Sequence, residues 1–172
     1  MLIAESAAGH AAAGSLKRAH GNEWELFREV DALRLLAVVS GATSEQPDWT
    51  FKPVELLFSG GRYGAVAGQW LFCVGFWVPR EGRTEFLSWY EREHLAILLE
   101  CPTWDGCRFV EAADATGCRF MALHQLADPV ALSSPERARS RATPGFMRLK
   151  RFDWFDEPFT RVLYRRVTID EA

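Results

Sequence analysis

Hydrophobic and polar positions along this chain alternate in short blocks more often than they recur at helical spacing. Trp24 to Val30 and Leu33 to Ser40 read as two strands joined tightly at Asp31-Ala32. Pro53 to Phe58 reads as a third, after a turn-rich stretch from Gly41 to Trp49. Ser59-Gly-Gly-Arg-Tyr-Gly64 marks the main internal boundary. Beyond it, Gln69 to Val78 is an apolar, β-rich run closed by Pro79, the pattern of a strand covered on both faces. Residues 85–100 form an amphipathic helix with Thr84 as N-cap, ended by Pro102 and Gly106. Cys107 to Ala112 and Arg119 to Leu126 are strands joined by a turn around Asp114 to Gly117. Pro129 to Arg141 is a second helix, broken by Thr143-Pro144-Gly145. Phe146 to Phe152 and Thr160 to Val167 are strand-like, around a turn at residues 154–158.

From residue 69 onward this order is β-α-β-β-α-β, the split ferredoxin-like arrangement of an α+β fold. The pattern predicts three regions: a flexible N-terminal segment over 1–22, a β-rich part over 23–66, and the ferredoxin-like unit over 67–172. Ala11 to Ala19 is the best helical window of the first. The second reads as a degenerate repeat that has lost its opening strand and helix, and its best internal match sets Ala32–Val38 against Cys118–His124.

Composition narrows the classes. The chain has 172 residues, 48% of them apolar and 13% aromatic, with seven Trp and twelve Phe. That is enough for a sizeable core or a pocket for a flat apolar ligand. A net charge of −3 gives no electrostatic footprint for nucleic acid. The local basic group Arg137, Arg139, Arg141, Arg148, Lys150 and Arg151 reads as a solvated helix face and strand edge. Four cysteines without a C-x-x-C pair argue against structural zinc and fit reduced thiols, and no metal site is expected. With no signal peptide and no run of about twenty apolar residues, the expected location is the cytoplasm.

The chemistry concentrates on the helix. At about 100° per residue, Leu87, Tyr90, Ile97 and Leu98 share a stripe with His94, while Trp89 falls on the outer side. An imidazole aimed into apolar packing is a general base in a pocket or a hydrogen-bonded core residue. Glu91, one turn earlier, is placed to fix its tautomer. Tyr90 is a candidate donor to a developing oxyanion. His124 shares a strand face with Phe120 and can act as acid to His94's base. The pocket wall is assigned to Trp70, Phe72 and Trp77 of the buried strand, Phe86, Leu87, Ile97 and Leu98 of the helix, and Phe120.

The motif Phe86-x-x-Trp89-Tyr90-x-x-x-His94-Leu95, with Pro102-x-Trp104 and the strand Arg119–Leu126, resembles the dimeric α/β-barrel superfamily, and within it the EthD-like small-molecule-degradation proteins. The resemblance covers about residues 69–167. It departs at Ala96, where Pro is usual after the His-Leu pair. It implies two ferredoxin-like sheets closing as a barrel, a homodimer, and a ligand cavity between sheet and helices. It also implies cofactor-free chemistry of lyase, isomerase or cyclase type on a small apolar, aromatic substrate. A non-catalytic ligand-binding or assembly protein and a haem-binding relative are the alternatives that the same fold carries.

Overall fold

The computed structural model describes residues 2–6, 23–29, 35–40, 50–63, 67–112, 118–155 and 160–167. Among these residues eight antiparallel strands close into one barrel: β1 (Leu2–Ser6), β2 (Glu23–Glu29), β3 (Leu35–Ser40), β4 (Thr50–Gly61), β5 (Trp70–Val78), β6 (Trp104–Ala112), β7 (Cys118–Leu126) and β8 (Thr160–Arg166), in the spatial order β1-β3-β2-β8-β5-β7-β6-β4. Each half has the ferredoxin-like order, β4-β1-β3-β2 in the first and β8-β5-β7-β6 in the second. The halves meet where β2 pairs with β8 and β4 with β6. The topology makes β3 the counterpart of β7.

Leu2–Ser6 therefore corrects the expectation of a frayed front. It is the opening strand of the first half, held on both sides by β3 and β4, and no signal in its five residues distinguishes it from a loose end. The helical window at Ala11–Ala19 and the turns at Asp31-Ala32, Gly41–Trp49 and Asp114–Gly117 lie outside the described residues.

The seam between β4 and β6 is made by close backbone approach. Gly61 has φ +72°, and a Cβ at Gly106, its pairing partner, would stand 2.1 Å from the Arg62 carbonyl oxygen. Arg62 and the buried Asp105 make an ion pair at 2.8 Å at the same place.

The apolar run of β5 is explained by its two faces. Leu71 and Cys73 join Val110, Leu123 and Tyr164 inside the barrel. Phe72, Val74 and Phe76 face outward, under the helices, with Cys107, Phe109, Phe120 and Ala122. Those helices are α1 (83–98), α2 (Pro135–Ser140) and α3 (Pro144–Leu149). Phe86 of α1 is fully buried at the centre of the outer core, its ring 5.2–6.2 Å from those of Phe76, Tyr90, Phe109 and Phe120.

Three helical features differ from the sequence pattern. The helix begins at Arg83, continuing a 3-10 turn at Arg80–Gly82, so Thr84 lies inside it and is not its cap. The predicted helix over 129–141 is a 3-10 turn at Pro129–Ser133 followed by α2. Pro135 forces Ser134 out of helical geometry, and the Ser134 side chain then caps the new helix. Phe146 to Phe152 is not a strand. Pro144 sits in the first turn of α3 and Thr143 caps it. Gly145 and Leu149 turn inward while Met147, Arg148 and Lys150 face solvent, a helical spacing that the short apolar run masks.

Thr143 has two tasks. Its hydroxyl accepts from the Phe146 N–H and from the indole N–H of Trp89, each at 3.2 Å. Thr143→Val keeps the shape, removes the cap and strands a buried indole donor. We expect a loss of about 2 kcal/mol in urea unfolding at unchanged m-value.

Candidate functional site

A cavity of about 60 Å³ lies between the outer face of the second half-sheet and the helices. By volume it holds a few waters. Phe72, Val74 and Phe76 of β5, Trp89, Leu98, Trp104, Phe146 and Phe155 give it apolar walls. Its polar groups are Tyr90, His94, His124, Arg137, Arg141 and Arg161.

The middle of α1 explains how the helix serves this space. Tyr90–Leu95 is a π turn, flanked by α-helical Arg83–Trp89 and Ala96–Leu98. Bonding from i to i+5 widens the helix and brings residues five apart onto one side. Trp89 and His94 thus meet with ring centroids 4.8 Å apart. This corrects the placement of Trp89 on the outer side, which assumed a regular 100° step. Trp89 is only 4% exposed and packs on Phe146 and Phe155.

His124 is 1% exposed and has both ring nitrogens hydrogen-bonded. Trp104 Nε1 lies 3.1 Å from Nδ1 and Tyr90 Oη lies 2.7 Å from Nε2. An indole nitrogen only donates, so Nδ1 is unprotonated. Burial first, then the positive potential of His94 and Arg137, holds the His124 pKa well below its ordinary value, so the ring is neutral with its proton on Nε2. Nε2–H then donates to Tyr90 Oη, and the phenolic hydrogen of Tyr90 is left to point elsewhere. Burial keeps that phenol protonated, its pKa pushed well up.

His94 is held differently. Its Nδ1 is 3.3 Å from the Ser140 carbonyl at the end of α2. A carbonyl only accepts, so Nδ1 carries the proton and Nε2 keeps a lone pair, with no partner among the described residues, on the cavity. Desolvation pulls its pKa to about 4. The Ser140 bond works against that shift, and Arg141 and Arg137 add to it.

The predicted residues separate clearly. Tyr90, His94, His124, Phe72 and Leu98 meet at the cavity. Glu91 does not. It is exposed, and the Ser140 carbonyl orients His94 in its place. Phe86 and Phe120 are core residues stacked on each other, and Trp70 and Leu87 pack at the edge of that core. Ile97 is partly buried away from the cavity, and Trp77 alternates onto the opposite face of β5 from Phe72, Val74 and Phe76. Sequence reasoning gave no role to Trp104, the donor that sets the His124 tautomer. Arg137 and Arg141, expected on a solvated face, both line the cavity, Arg137 half-buried and Arg141 exposed. Arg148 and Lys150, expected on a strand edge, stand on the outer face of α3. Among the described residues no cluster of His, Cys, Asp or Glu forms a metal centre, and no helix is long and apolar enough to cross a membrane.

Comparison with solved structures finds the same ferredoxin-like fold in several proteins, one of them described as related to antibiotic-biosynthesis monooxygenases. A ferredoxin-fold protein of that relationship from Listeria monocytogenes matches 98% of this chain over 95% of its own, at TM-score 0.66 and 16% identity. An anthrone oxidase-like protein matches 97% over 90%, at TM-score 0.66 and 12% identity. A heme-degrading enzyme from Listeria monocytogenes matches 96% over 99%, at TM-score 0.63 and 13% identity. At these identities the likeness is one of fold. No family model and no curated protein matches the chain.

Two outcomes follow from the site. A folded-state pKa of about 4 against an ordinary 6.5 makes the unfolded chain the better proton binder between those values. The stabilisation from a neutral His94 is complete above about pH 6.5 and lost as pH falls toward 4, on the order of 3 kcal/mol at most. His94→Leu should flatten that limb of Tm against pH. Trp104→Phe removes the donor to Nδ1, and imidazole nitrogen chemical shifts should then report a mixed His124 tautomer where the unmodified protein gives one.

Proposed function

We propose that this protein is a small-molecule enzyme that acts by proton transfer on a small, largely apolar aromatic compound, in a lyase, isomerase or cyclase type of reaction that uses no cofactor. The observation that carries this reading is the bare Nε2 of His94 on an apolar cavity beside the Tyr90 hydroxyl. His94 is the base, Tyr90 holds the developing oxyanion with its free hydroxyl hydrogen, and the Nε2–H of His124 keeps Tyr90 in place. A base of pKa about 4 is neutral at working pH but weak. An anion forming beside it stabilises the imidazolium and strengthens the base in the transition state.

The neighbours' names, monooxygenase-like, anthrone oxidase-like and heme-degrading, are those of small-molecule enzymes and support catalysis at that level. The EthD-like likeness remains part of this proposal on the strength of the helix motif. Cytoplasmic residence accords with the free thiols of Cys73, Cys101 and Cys107. A homodimer would associate through outer surfaces, since the barrel closes within one chain.

Haem suits the site less well. A tetrapyrrole far exceeds a cavity of about 60 Å³, and with both nitrogens of His124 engaged only Nε2 of His94 is left to ligate iron. A non-catalytic binding protein is favoured by that same engagement, which makes His124 a structural post. Solvent-deuterium exchange into a panel of small aryl ketones separates the two. The enzymatic reading expects exchange that falls about 10²–10⁴-fold in His94→Ala with Tm retained above pH 7. Exchange unchanged in that variant would leave the binding protein.

A further inference from the structure

The proton-transfer reading gives no task to two guanidinium groups at the cavity, those of Arg137 and Arg141. Arg137 on α2 and Arg141 just past its end line it together with Arg161 on β8, and among the described residues no Asp or Glu does. Arg137 donates to the Leu132 carbonyl, a neutral acceptor, and its guanidinium carbon lies 5.8 Å from the centre of the Phe72 ring. The Arg141 guanidinium has no hydrogen bond or ion pair among the described residues. The nearby carboxylates are engaged elsewhere: Glu100 with Arg139, Glu85 and Glu93 with Arg148.

Gathering cations beside an apolar space is unfavourable without a counter-charge. Burial, then Arg141 and Arg161, pull Arg137 to about 10, and burial and Arg161 lower Arg141 as well. Both histidines facing Arg137 and Arg141 are neutral, and among the described residues no carboxylate lines the cavity to offset their charge. A ligand that brings its own negative charge would do so. The planar fork of a guanidinium matches a carboxylate, and the aromatic walls match a ring.

We propose that Arg137 and Arg141 receive the carboxylate of a small aromatic acid whose ring enters the cavity toward His94 and Tyr90. This rests on the cavity being the substrate site, and names the class of substrate. It also places a negative group where it raises the basicity of His94 once the ligand is bound.

Equilibrium binding tests it with benzoate and its neutral isostere benzamide, followed by calorimetry at low ionic strength. Benzoate should bind at least about tenfold tighter than benzamide and weaken in 0.5 M salt. Arg141→Met should cost benzoate about tenfold and leave benzamide unchanged, while Arg141→Lys recovers part of the difference. The proposal is overturned by equal affinities for the two probes, by a dissociation constant for benzoate above about 10 mM, or by an Arg141→Met protein of normal Tm that keeps its benzoate affinity. The two readings fail separately. Benzoate binding without exchange in any aryl ketone sinks the catalytic reading alone, and His94-dependent exchange with no preference for benzoate sinks this one alone.

Discussion

A histidine sealed under aromatic rings is tolerable only when both of its nitrogens are hydrogen-bonded, and that requirement ties this site together. His124 at 1% exposure needs a donor to one nitrogen and an acceptor for the other. Trp104 at the start of β6 supplies the first and Tyr90 at the start of the π turn supplies the second. Three elements are locked into one register by two hydrogen bonds. The phenolic hydrogen of Tyr90 and the Nε2 lone pair of His94 are what these hydrogen bonds leave unused at the cavity.

The π turn is the local device that makes this possible. A regular helix would carry Trp89 away from His94 and leave the outer flank of the cavity open. The wider turn brings Trp89 inward, where Thr143 accepts its N–H and α3 covers it. The cap of α3, the burial of Trp89 and the position of His94 are therefore one linked structure. The linkage also gives the cavity unlike sides: a dry aromatic floor, two neutral imidazoles, and an arginine-lined rim.

Much of the fold is legible in the sequence because strands leave a period of two and a helix leaves a stripe. The ferredoxin-like order of the second half, the stripe of Tyr90, His94 and Leu98, and the helix-facing outer face of β7 carrying His124 all follow from that periodicity. What is not legible depends on contacts distant in sequence. Leu2–Ser6 is a strand because β3 and β4 hold it. Phe146–Phe152 has an apolar content suited to a strand, yet Thr143-Pro144 starts a helix. Glu91 has the spacing to orient His94, but a carbonyl 46 residues later does so. Arg137 and Arg141 carry a charge pattern that looks solvated until the helix bearing them is laid across an oily hollow.

The two ferredoxin-like halves are covalently one chain. In a barrel assembled from identical copies, every substitution is made twice, and any improvement to one hollow is forced on its twin. Here a mutation falls once. One half is then free to specialise its chemistry without forcing the same change on the other, so asymmetry between two halves of one strand order carries no symmetry-related penalty.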